Sequence, residues 1–266
     1  MSEQQYETIL TTFDAKGIFT ITLNRPDVYN AVNEQMTTEL QQVLKTVAEH
    51  EGVRCVVITG AGKAFCAGQD LKEAPKPGEK QRSLADSLRR RYNPIIRLLT
   101  SMPKPVIAGI NGVAAGAGLS LALAADIRIM SERARFVEAF IGIALVPDSG
   151  ASFFYPRLMG YPKAFEFATL NKPISAEEAL RLGLVNAVVS PKVLPTAVQR
   201  WAERYAQGPT KTYGFVKQML QRGLVASLDE MLEMEVEYQQ KAGETEDYAE
   251  GVAAFLEKRE PQFKGR

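Results

Sequence analysis

The sequence predicts an α/β fold with a helical C-terminal region, and two observations lead to this prediction. Over the first two thirds of the 266 residues, short apolar or alternating runs typical of strands alternate with stretches of helical periodicity. After about residue 190 the pattern is helical throughout. We therefore expect a core over residues 1–195 and a helical region over residues 196–266.

The first predicted unit is a strand, a helix and a second strand. Residues 18–23 alternate in polarity, as a strand with one buried face does. Asn33 is a suitable N-cap for a helix that runs to about His50 and is ended by Gly52. Residues 55–59 form a short apolar run that favours a buried parallel strand. The helix has one apolar stripe: Met36, Leu40, Val43, Leu44 and Val47.

The next predicted elements follow glycine-containing segments. Residues 60–70 are expected to form a loop, and residues 75–78 a mobile polar insertion. A helix is predicted over roughly residues 83–99, and a strand over residues 106–110. The remaining predictions for this part are a helix that starts near residues 116–118 and strands at residues 127–130 and 135–137.

Two serines predict helix starts in the last third of the chain. Ser175 and Ser227 are each followed three residues later by a glutamate, which is the capping-box pattern. Gly183 is placed to end the first of these helices.

Composition excludes several classes of protein. The chain has 32 Lys and Arg residues and 31 Asp and Glu residues, so its net charge is +1. This charge does not indicate binding to nucleic acid or to an anionic membrane. The one histidine, His50, and two cysteines, Cys55 and Cys66, are too few for a Cys/His zinc site, and we expect no metal. A Ser–His–Asp enzyme would need His50 as its base. An enzyme with this composition is expected to use a carboxylate or no ionisable group.

The expected location is the cytoplasm. No signal peptide is visible at the N-terminus, and the two cysteines suit a reducing compartment. Residues 106–125 carry no charge and are long enough to span a bilayer. Because Asn111-Gly112 is a turn signal within them, we predict a strand, a turn and a buried helix instead of a membrane span.

Two glycine-rich turns share one physical design. Residues 64–70 follow one predicted strand, and residues 111–118 follow another and open a helix. Unpaired N–H groups at such turns can converge on one point and form an oxyanion hole. The alternative is that both are tight turns with small residues for steric reasons, and the spacing alone leaves both open. Neither turn is a Walker A loop or a dinucleotide-binding fingerprint.

These residues carry a family resemblance. The chain resembles the enoyl-CoA hydratase/isomerase (crotonase) superfamily at residues 24–31, 59–71, 104–112, 147 and 175–185. The resemblance implies a spiral of ββα units with a helical C-terminal region used in trimerisation, and trimers that commonly pair into hexamers. It also implies an acyl-CoA thioester as substrate, with coenzyme A as part of that substrate and no separate cofactor.

The resemblance assigns roles to residues by position. It implies that the backbone N–H groups of Gln69 and Ala117 hold the thioester enolate. The adenine end of CoA is expected near Ala64 and Ala67, and its phosphates near Lys63 and Arg25. The implied CoA-binding set is Arg25, Lys63, Ala64, Ala67, Gln69, Asp70, Leu71 and Gly116, with Phe263 and Lys264 reaching the CoA of a neighbouring subunit.

The chain departs from the hydratases of this family at two positions. Where those enzymes have two glutamates that act on one water, this sequence has Ser120 and Phe140. Neither side chain can replace a carboxylate as a proton carrier. Hydration is therefore not the expected main reaction. Both residues are assigned to the substrate pocket, and the alternatives are a buried helix serine at position 120 and a core phenylalanine at position 140.

Asp148 is the remaining candidate base. It follows Pro147 and precedes a predicted helix, so an N-cap role is the alternative. The resemblance favours catalysis, because family members that shift double bonds or attack the acyl group have an acid at this position.

Within the family the chain resembles the subgroup of ring 1,2-epoxyphenylacetyl-CoA isomerases of phenylacetate degradation. The shared stretches are residues 65–71, 111–118, 136–140, 147–148 and 247–263, together with the loss of both glutamates. The implied activity is conversion of the epoxide to oxepin-CoA, with Asp148 as the base. The alternatives are a Δ3,Δ2-enoyl-CoA, dienoyl-CoA or ring-alkene isomerase, then a hydratase, and then a non-catalytic acyl-CoA-binding or RNA-binding paralogue.

Overall fold

The computed structural model describes residues 5–73 and 83–266 and has the predicted α/β architecture. The expected insertion at residues 75–78 lies outside the described residues. The strands are β1 (Ile9–Phe13), β2 (Ile18–Leu23), β3 (Cys55–Gly60), β4 (Ala64–Cys66), β5 (Val106–Ile110), β6 (Val113–Ala115), β7 (Ile127–Ser131), β8 (Arg135–Val137), β9 (Ile174–Ser175) and β10 (Ala187–Val189). The helices are α1 (Glu34–Glu49), α2 (Leu84–Ser87), α3 (Asn93–Ser101), α4 (Ala117–Leu123), α5 (Ala151–Met159), α6 (Tyr161–Leu170), α7 (Ala176–Arg181), α8 (Leu194–Ala206), α9 (Thr210–Gly223), α10 (Leu228–Gly243) and α11 (Glu246–Glu257).

The larger sheet has the order β1-β2-β3-β5-β7-β10. Its strands run parallel except β1, which pairs antiparallel with β2. The structure confirms the predicted sequence positions of β2, β3, β5 and β7. All five residues of β5 are buried because helices cover both faces of the sheet, which explains its unbroken apolar run.

The smaller sheet, in the order β4-β6-β8-β9, corrects one prediction. Residues 64–66 were expected within a loop, but they form β4, which pairs in parallel with β6. A three-residue strand gives only a weak period of two, so sequence periodicity did not reveal β4, although β8, of the same length, was predicted at residues 135–137. The pairing brings the two glycine-rich segments side by side.

The core lies on both faces of the larger sheet. On one face the predicted apolar stripe of α1 is buried, and Asn33 caps this helix by accepting a hydrogen bond from the N–H of Met36 at 2.9 Å. On the other face α8 covers the sheet, with Ala197, Val198 and Ala202 packed in one cluster with strand residues such as Val57 and Ile107. The predicted boundary at residue 195 falls within α8.

The predicted helix over residues 83–99 is divided by a π-helical turn. Ser83 caps α2, residues Leu88–Tyr92 form the π turn, and α3 follows. The side-chain amide of Gln41 on α1 donates hydrogen bonds to the carbonyls of Arg90 (2.9 Å) and Arg91 (3.1 Å). These bonds satisfy carbonyls in the widened turn.

The C-terminal region consists of helices, as predicted. Ser227 and Glu230 form the full capping box, whereas Ser175 caps α7 but Glu178 bonds to Arg181. Residues 106–125 form β5, β6 and α4, as the turn signal indicated. In the described part of the chain, no helix is both long and apolar enough to cross a membrane.

Candidate active site

The two glycine-rich turns meet at the edge of the smaller sheet. Gly68 has a φ of +88°, and a Cβ atom there would lie 2.8 Å from the carbonyl oxygen of Ala115 and 3.6 Å from the nitrogen of Ala117. A Cβ on Gly118 would lie 2.4 Å from the carbonyl oxygen of Cys66. These approaches require glycine, because a side chain would push the two backbones apart. Steric crowding therefore explains why residues 68 and 118 are glycines. It does not explain the polar groups that line the site where the two turns meet.

The side chain of Asn30 stabilises the segment around β4 through hydrogen bonds. This fully buried side chain donates hydrogen bonds to the carbonyls of Ala61 (2.9 Å), Ala64 (2.9 Å) and Phe65 (3.2 Å). The N–H of Ala67 donates to the carbonyl of Tyr29 at 2.9 Å. The motif at residues 24–31 therefore serves as the support of the loop.

A cavity of about 130 Å³ opens between these turns and the segment that precedes α5. Its wall contains four of the predicted catalytic or pocket positions: Gln69, Ala117, Phe140 and Asp148. Three predicted CoA positions also line it, namely Ala67, Leu71 and Gly116. Sequence reasoning assigned no role to four further residues of the wall: Tyr92, Ala139, Ile143 and Leu145.

The N–H groups of Gln69 and Ala117 are both available at this wall. Val32 pairs with the loop through the carbonyl of Gly68 and the N–H of Asp70, which leaves the intervening Gln69 N–H unused. Ala117 is the first residue of α4, where N–H groups lack helical partners. Within the described residues, neither N–H donates a hydrogen bond to protein. Two such donors can hold a developing oxyanion.

Asp148 supplies the one carboxylate in the described wall of the cavity. Ser149 Oγ donates a 2.8 Å hydrogen bond to its Oδ1, and no described group donates to Oδ2. Burial raises the pKa of Asp148, and the bond from Ser149 only partly opposes this effect. The side chain does not cap α5, whose N-cap is Gly150 with no side-chain bond. Asp148 is therefore a half-buried carboxylate whose Oδ2 is available to accept a proton.

The turn that carries Asp148 has an unusual backbone. Ser149 adopts a φ of +52° and Gly150 a φ of +86°. Ala139 (+66°) and Ala144 (+57°), which flank the short helical turn of Phe140–Ile143, are also left-handed. Left-handed non-glycine residues are costly and concentrate at functional sites. Their position here indicates that the surrounding fold fixes the carboxylate.

Ser120 and Phe140 occupy different surroundings. Phe140 lines the cavity and is 8% exposed. Ser120 is fully buried outside the described wall, and its hydroxyl donates to the carbonyls of Asp148 (3.0 Å) and Gly116 (3.3 Å). Ser120 therefore contacts the backbone that carries the acid, not the cavity.

Several predicted CoA positions lie outside the cavity. Arg25 Nη1 donates to Asp70 Oδ2 (2.8 Å) and to the carbonyl of Ala31 (2.6 Å). Burial opposes ionisation of Asp70, but the hydrogen bond and charge of Arg25 outweigh it and lower the pKa of this carboxyl. Ala64 is buried in β4, and Lys63 is exposed beside it. Arg25 and Asp70 thus stabilise the loop.

Phe263 and Lys264 follow α11 in the chain and lie beside its first two turns. The backbone N–H of Lys264 donates to Asp247 Oδ1 at 2.6 Å, and the ring of Phe263 lies beside Gly251. Neither residue is part of the cavity wall that the described residues form in their own chain.

His50 and Cys66 take no part in a nucleophilic pair. His50 follows α1 and accepts a hydrogen bond from the N–H of Gly52 at 3.1 Å. Burial raises the pKa of Cys66 to about 12, so it remains a thiol, and it donates to the carbonyl of Asn30.

A larger cavity of about 310 Å³ lies beside α9, away from these groups. Its wall contains Lys217, which donates to Asp126 Oδ2 (2.9 Å) and to the carbonyl of Leu99 (2.7 Å). Asp126 also accepts a bond from the N–H of Val106. Because these charges satisfy each other, we interpret them as a structural ion pair that joins α9 to the sheet.

Comparison with known proteins places these features in a family. The sequence model of the family described as enoyl-CoA hydratase/isomerase matches residues 14–266. The chain is 43% identical to 1,2-epoxyphenylacetyl-CoA isomerase of Escherichia coli (strain K12) over 252 residues, which covers 94% of this chain and 96% of that protein.

Two further proteins that resemble this chain are named for other activities. The chain is 33% identical to trans-2-decenoyl-[acyl-carrier-protein] isomerase of Streptococcus mutans, over 98% of this chain and 99% of that protein. The crystal structure of an enoyl-CoA hydratase from Bacillus anthracis superposes with a TM-score of 0.92 at 34% identity and covers 98% of this chain and 100% of that one.

Proposed function

The chain belongs to the enoyl-CoA hydratase/isomerase family of crotonase enzymes, and we propose on this premise that it is an isomerase that converts ring 1,2-epoxyphenylacetyl-CoA to oxepin-CoA. The observation that carries the proposal is the composition of the described cavity wall. It pairs two available N–H groups with one carboxylate, Asp148. The similarity to a relative named for this reaction supports the choice of substrate.

The first proposed step is removal of an α-proton. The thioester oxygen accepts hydrogen bonds from the N–H groups of Gln69 and Ala117. This polarisation makes the α-methylene acidic, and Asp148 takes one proton and becomes a neutral carboxylic acid. The negative charge is then held on the thioester oxygen as an enolate. Each such donor is typically worth about 3 kcal/mol of transition-state stabilisation.

The second proposed step is rearrangement of the ring. Electrons move from the enolate into the epoxide-bearing ring, which opens to the seven-membered oxepin. Asp148 returns its proton to a ring carbon, and the carboxylate is regenerated. Substrate and product have the same atoms, so the proposed reaction requires no cofactor.

Hydration is a poorer match to this cavity. It requires one group to activate water and another to donate a proton. The positions that carry glutamates in hydratases are Ser120, whose hydroxyl is bonded to backbone carbonyls, and Phe140. Asp148 alone supports a proton shift within one substrate.

A double-bond isomerase is the second candidate. The same base and oxyanion donors would move a β,γ double bond of an enoyl thioester to the α,β position. The apolar wall residues Phe140, Ile143 and Leu145 would suit a hydrocarbon chain, and one relative is named as a decenoyl isomerase.

A panel of three thioesters tests these alternatives. We expect the enzyme to consume epoxyphenylacetyl-CoA faster than 3-enoyl-CoA, and to hydrate crotonyl-CoA negligibly. Products are identified by liquid chromatography and mass spectrometry. Rapid hydration of crotonyl-CoA, or coenzyme A binding without any α-proton exchange in deuterated water, would contradict the proposal.

We further propose that the chain forms a homotrimer, or a dimer of trimers, in the cytoplasm. Support comes from large apolar side chains that α9 to α11 leave in solvent, including Leu228 at 74% and Phe255 at 83% exposure. In such an assembly Phe263 and Lys264 would reach the CoA of a neighbouring subunit. The two free cysteines support a reducing compartment.

A further inference from the structure

Tyr92 is a polar residue of the cavity wall that the proposed mechanism does not use. It is the last residue of the π-helical turn, it lines the cavity with Asp148, and it is 6% exposed. Its hydroxyl is buried and has no hydrogen-bond partner among the described residues. Burying a hydroxyl without a partner typically costs about 1–3 kcal/mol.

Two comparisons make Tyr92 distinctive. Glu138 Oε1 and the hydroxyl of Tyr155 are also buried without partners in the described part of the chain, but neither residue belongs to the described cavity wall. The turn that carries Tyr92 is itself unusual, since π turns are rare and occur frequently at functional sites. The bonds from Gln41 to the carbonyls of Arg90 and Arg91 stabilise that turn. The fold therefore supports a costly local geometry that places a phenol at the substrate cavity.

We propose that the Tyr92 hydroxyl donates a hydrogen bond to an oxygen atom carried by the acyl group, and so selects oxygenated acyl groups over hydrocarbon ones. The inference rests on the proposed function, because it assumes that the acyl group occupies this cavity. It names a specificity-determining residue and a substrate class, namely acyl thioesters with an epoxide or other oxygen near the β-carbon.

The chemistry of the phenol suits this role. Burial raises the pKa of Tyr92, and the nearby charge of Arg91 only partly opposes this effect. Tyr92 therefore keeps its proton and acts as a donor. No proton is transferred and no bond to Tyr92 forms or breaks. A hydrocarbon substrate would leave the hydroxyl unpaired, and an unpaired polar group in a site is what penalises the wrong substrate.

Affinity measurements test the proposal without turnover. The probes are phenylacetyl-CoA and 2-hydroxyphenylacetyl-CoA, which differ by one ring oxygen, with dissociation constants measured by titration calorimetry. We expect the unmodified enzyme to prefer the oxygenated probe by about three- to tenfold, the range of one hydrogen bond. Tyr92→Phe should abolish this preference, and Tyr155→Phe, which removes a buried hydroxyl outside the cavity wall, should retain it.

Turnover provides the second readout. Tyr92→Phe should lower kcat/KM for epoxyphenylacetyl-CoA by about tenfold and leave that for 3-enoyl-CoA within twofold. Unfolding midpoints should not fall, since the variant removes only an unpaired hydroxyl. Retained preference in Tyr92→Phe, no preference in the unmodified enzyme, or an equal loss on both substrates would overturn the inference. Failure of the proposed function is distinguishable, because it would appear as Asp148-independent turnover while the affinity ratio persists.

Discussion

Ser120 and Asp148 are linked at the residue scale. The hydroxyl of Ser120 donates to the carbonyl of Asp148, and the helix that carries Ser120 begins at Ala117. One hydrogen bond thus joins α4 to the turn that carries Asp148. The Ser120 hydroxyl thus contacts the backbone of Asp148 and not its carboxylate.

Asp148 is expected to lower stability at neutral pH. Its pKa is raised in the folded state by burial, so folding favours the protonated form. This cost is absent below the ordinary aspartate pKa of about 3.9 and develops as pH rises through the folded-state value. Asp148→Asn should therefore raise the thermal midpoint at pH 7, and the gain should disappear as pH falls towards 4.

The matched control for this prediction is Asp86→Asn, which changes an exposed carboxylate on α2. It should give no comparable gain at pH 7. A gain for Asp148→Asn that stays constant across this pH range would show that ionisation is not its cause.

Individual residues were predictable to the extent that a motif or a family position marked them. Gln69, Ala117, Phe140 and Asp148 were all predicted, and they meet at one cavity. Tyr92 was missed because a π turn has no sequence signal comparable to a cap or a heptad. The bond between Ser120 and Asp148 also required tertiary structure, since it joins residues 28 positions apart.

At the scale of elements, the site depends on how closely α4 approaches β4. The limiting contact is at Gly118, where an added Cβ would overlap the carbonyl of Cys66. Gly118→Ala should destabilise the fold by about 1–3 kcal/mol. It should also lower kcat/KM by about 10- to 100-fold, because a shift of α4 moves the N–H of Ala117. Denaturant unfolding and steady-state kinetics measure the two effects.

Gly243→Ala is the matched control. A Cβ at this position, the last residue of α10, has no described atom within 4 Å. Its stability should change by no more than about 1 kcal/mol, with unchanged kinetics. If Gly118→Ala behaved like Gly243→Ala, the close approach would not be what positions the oxyanion donor.

The elements themselves were predicted unevenly. The predictions for α1 and β5 were correct, because burial gives the 16-residue α1 an apolar stripe and leaves all five residues of β5 apolar. Among the described strands, five were missed: β1, β4, β6, β9 and β10. Four of these have only two or three residues, which carry little periodicity, although β8, also of three residues, was predicted. Their pairing still decides the site, as β4 and β6 bring the two turns together.

At the scale of the whole molecule, the exposed apolar faces of α9 to α11 predict assembly. The unmodified protein should have a mass of about 88 kDa by light scattering, three times the 29.3 kDa of one chain, or twice that value for a hexamer. Phe255→Glu should shift it towards the monomer, because a charge replaces a large apolar side chain that is 83% exposed in the single chain.

Leu180→Glu, on α7 outside the C-terminal helices, should leave the mass unchanged. A monomeric unmodified protein, or an assembly that Phe255→Glu does not weaken, would contradict the assignment of this face.

We propose that one carboxylate, Asp148, carries the proton, and turnover by Asp148→Asn measures this role. The variant should fold and bind phenylacetyl-CoA with little change, whereas kcat for isomerisation should fall by about 10²- to 10⁴-fold, the range of general base catalysis. Asp86→Asn should retain full activity. Near-normal isomerisation of epoxyphenylacetyl-CoA or 3-enoyl-CoA by Asp148→Asn would contradict the account.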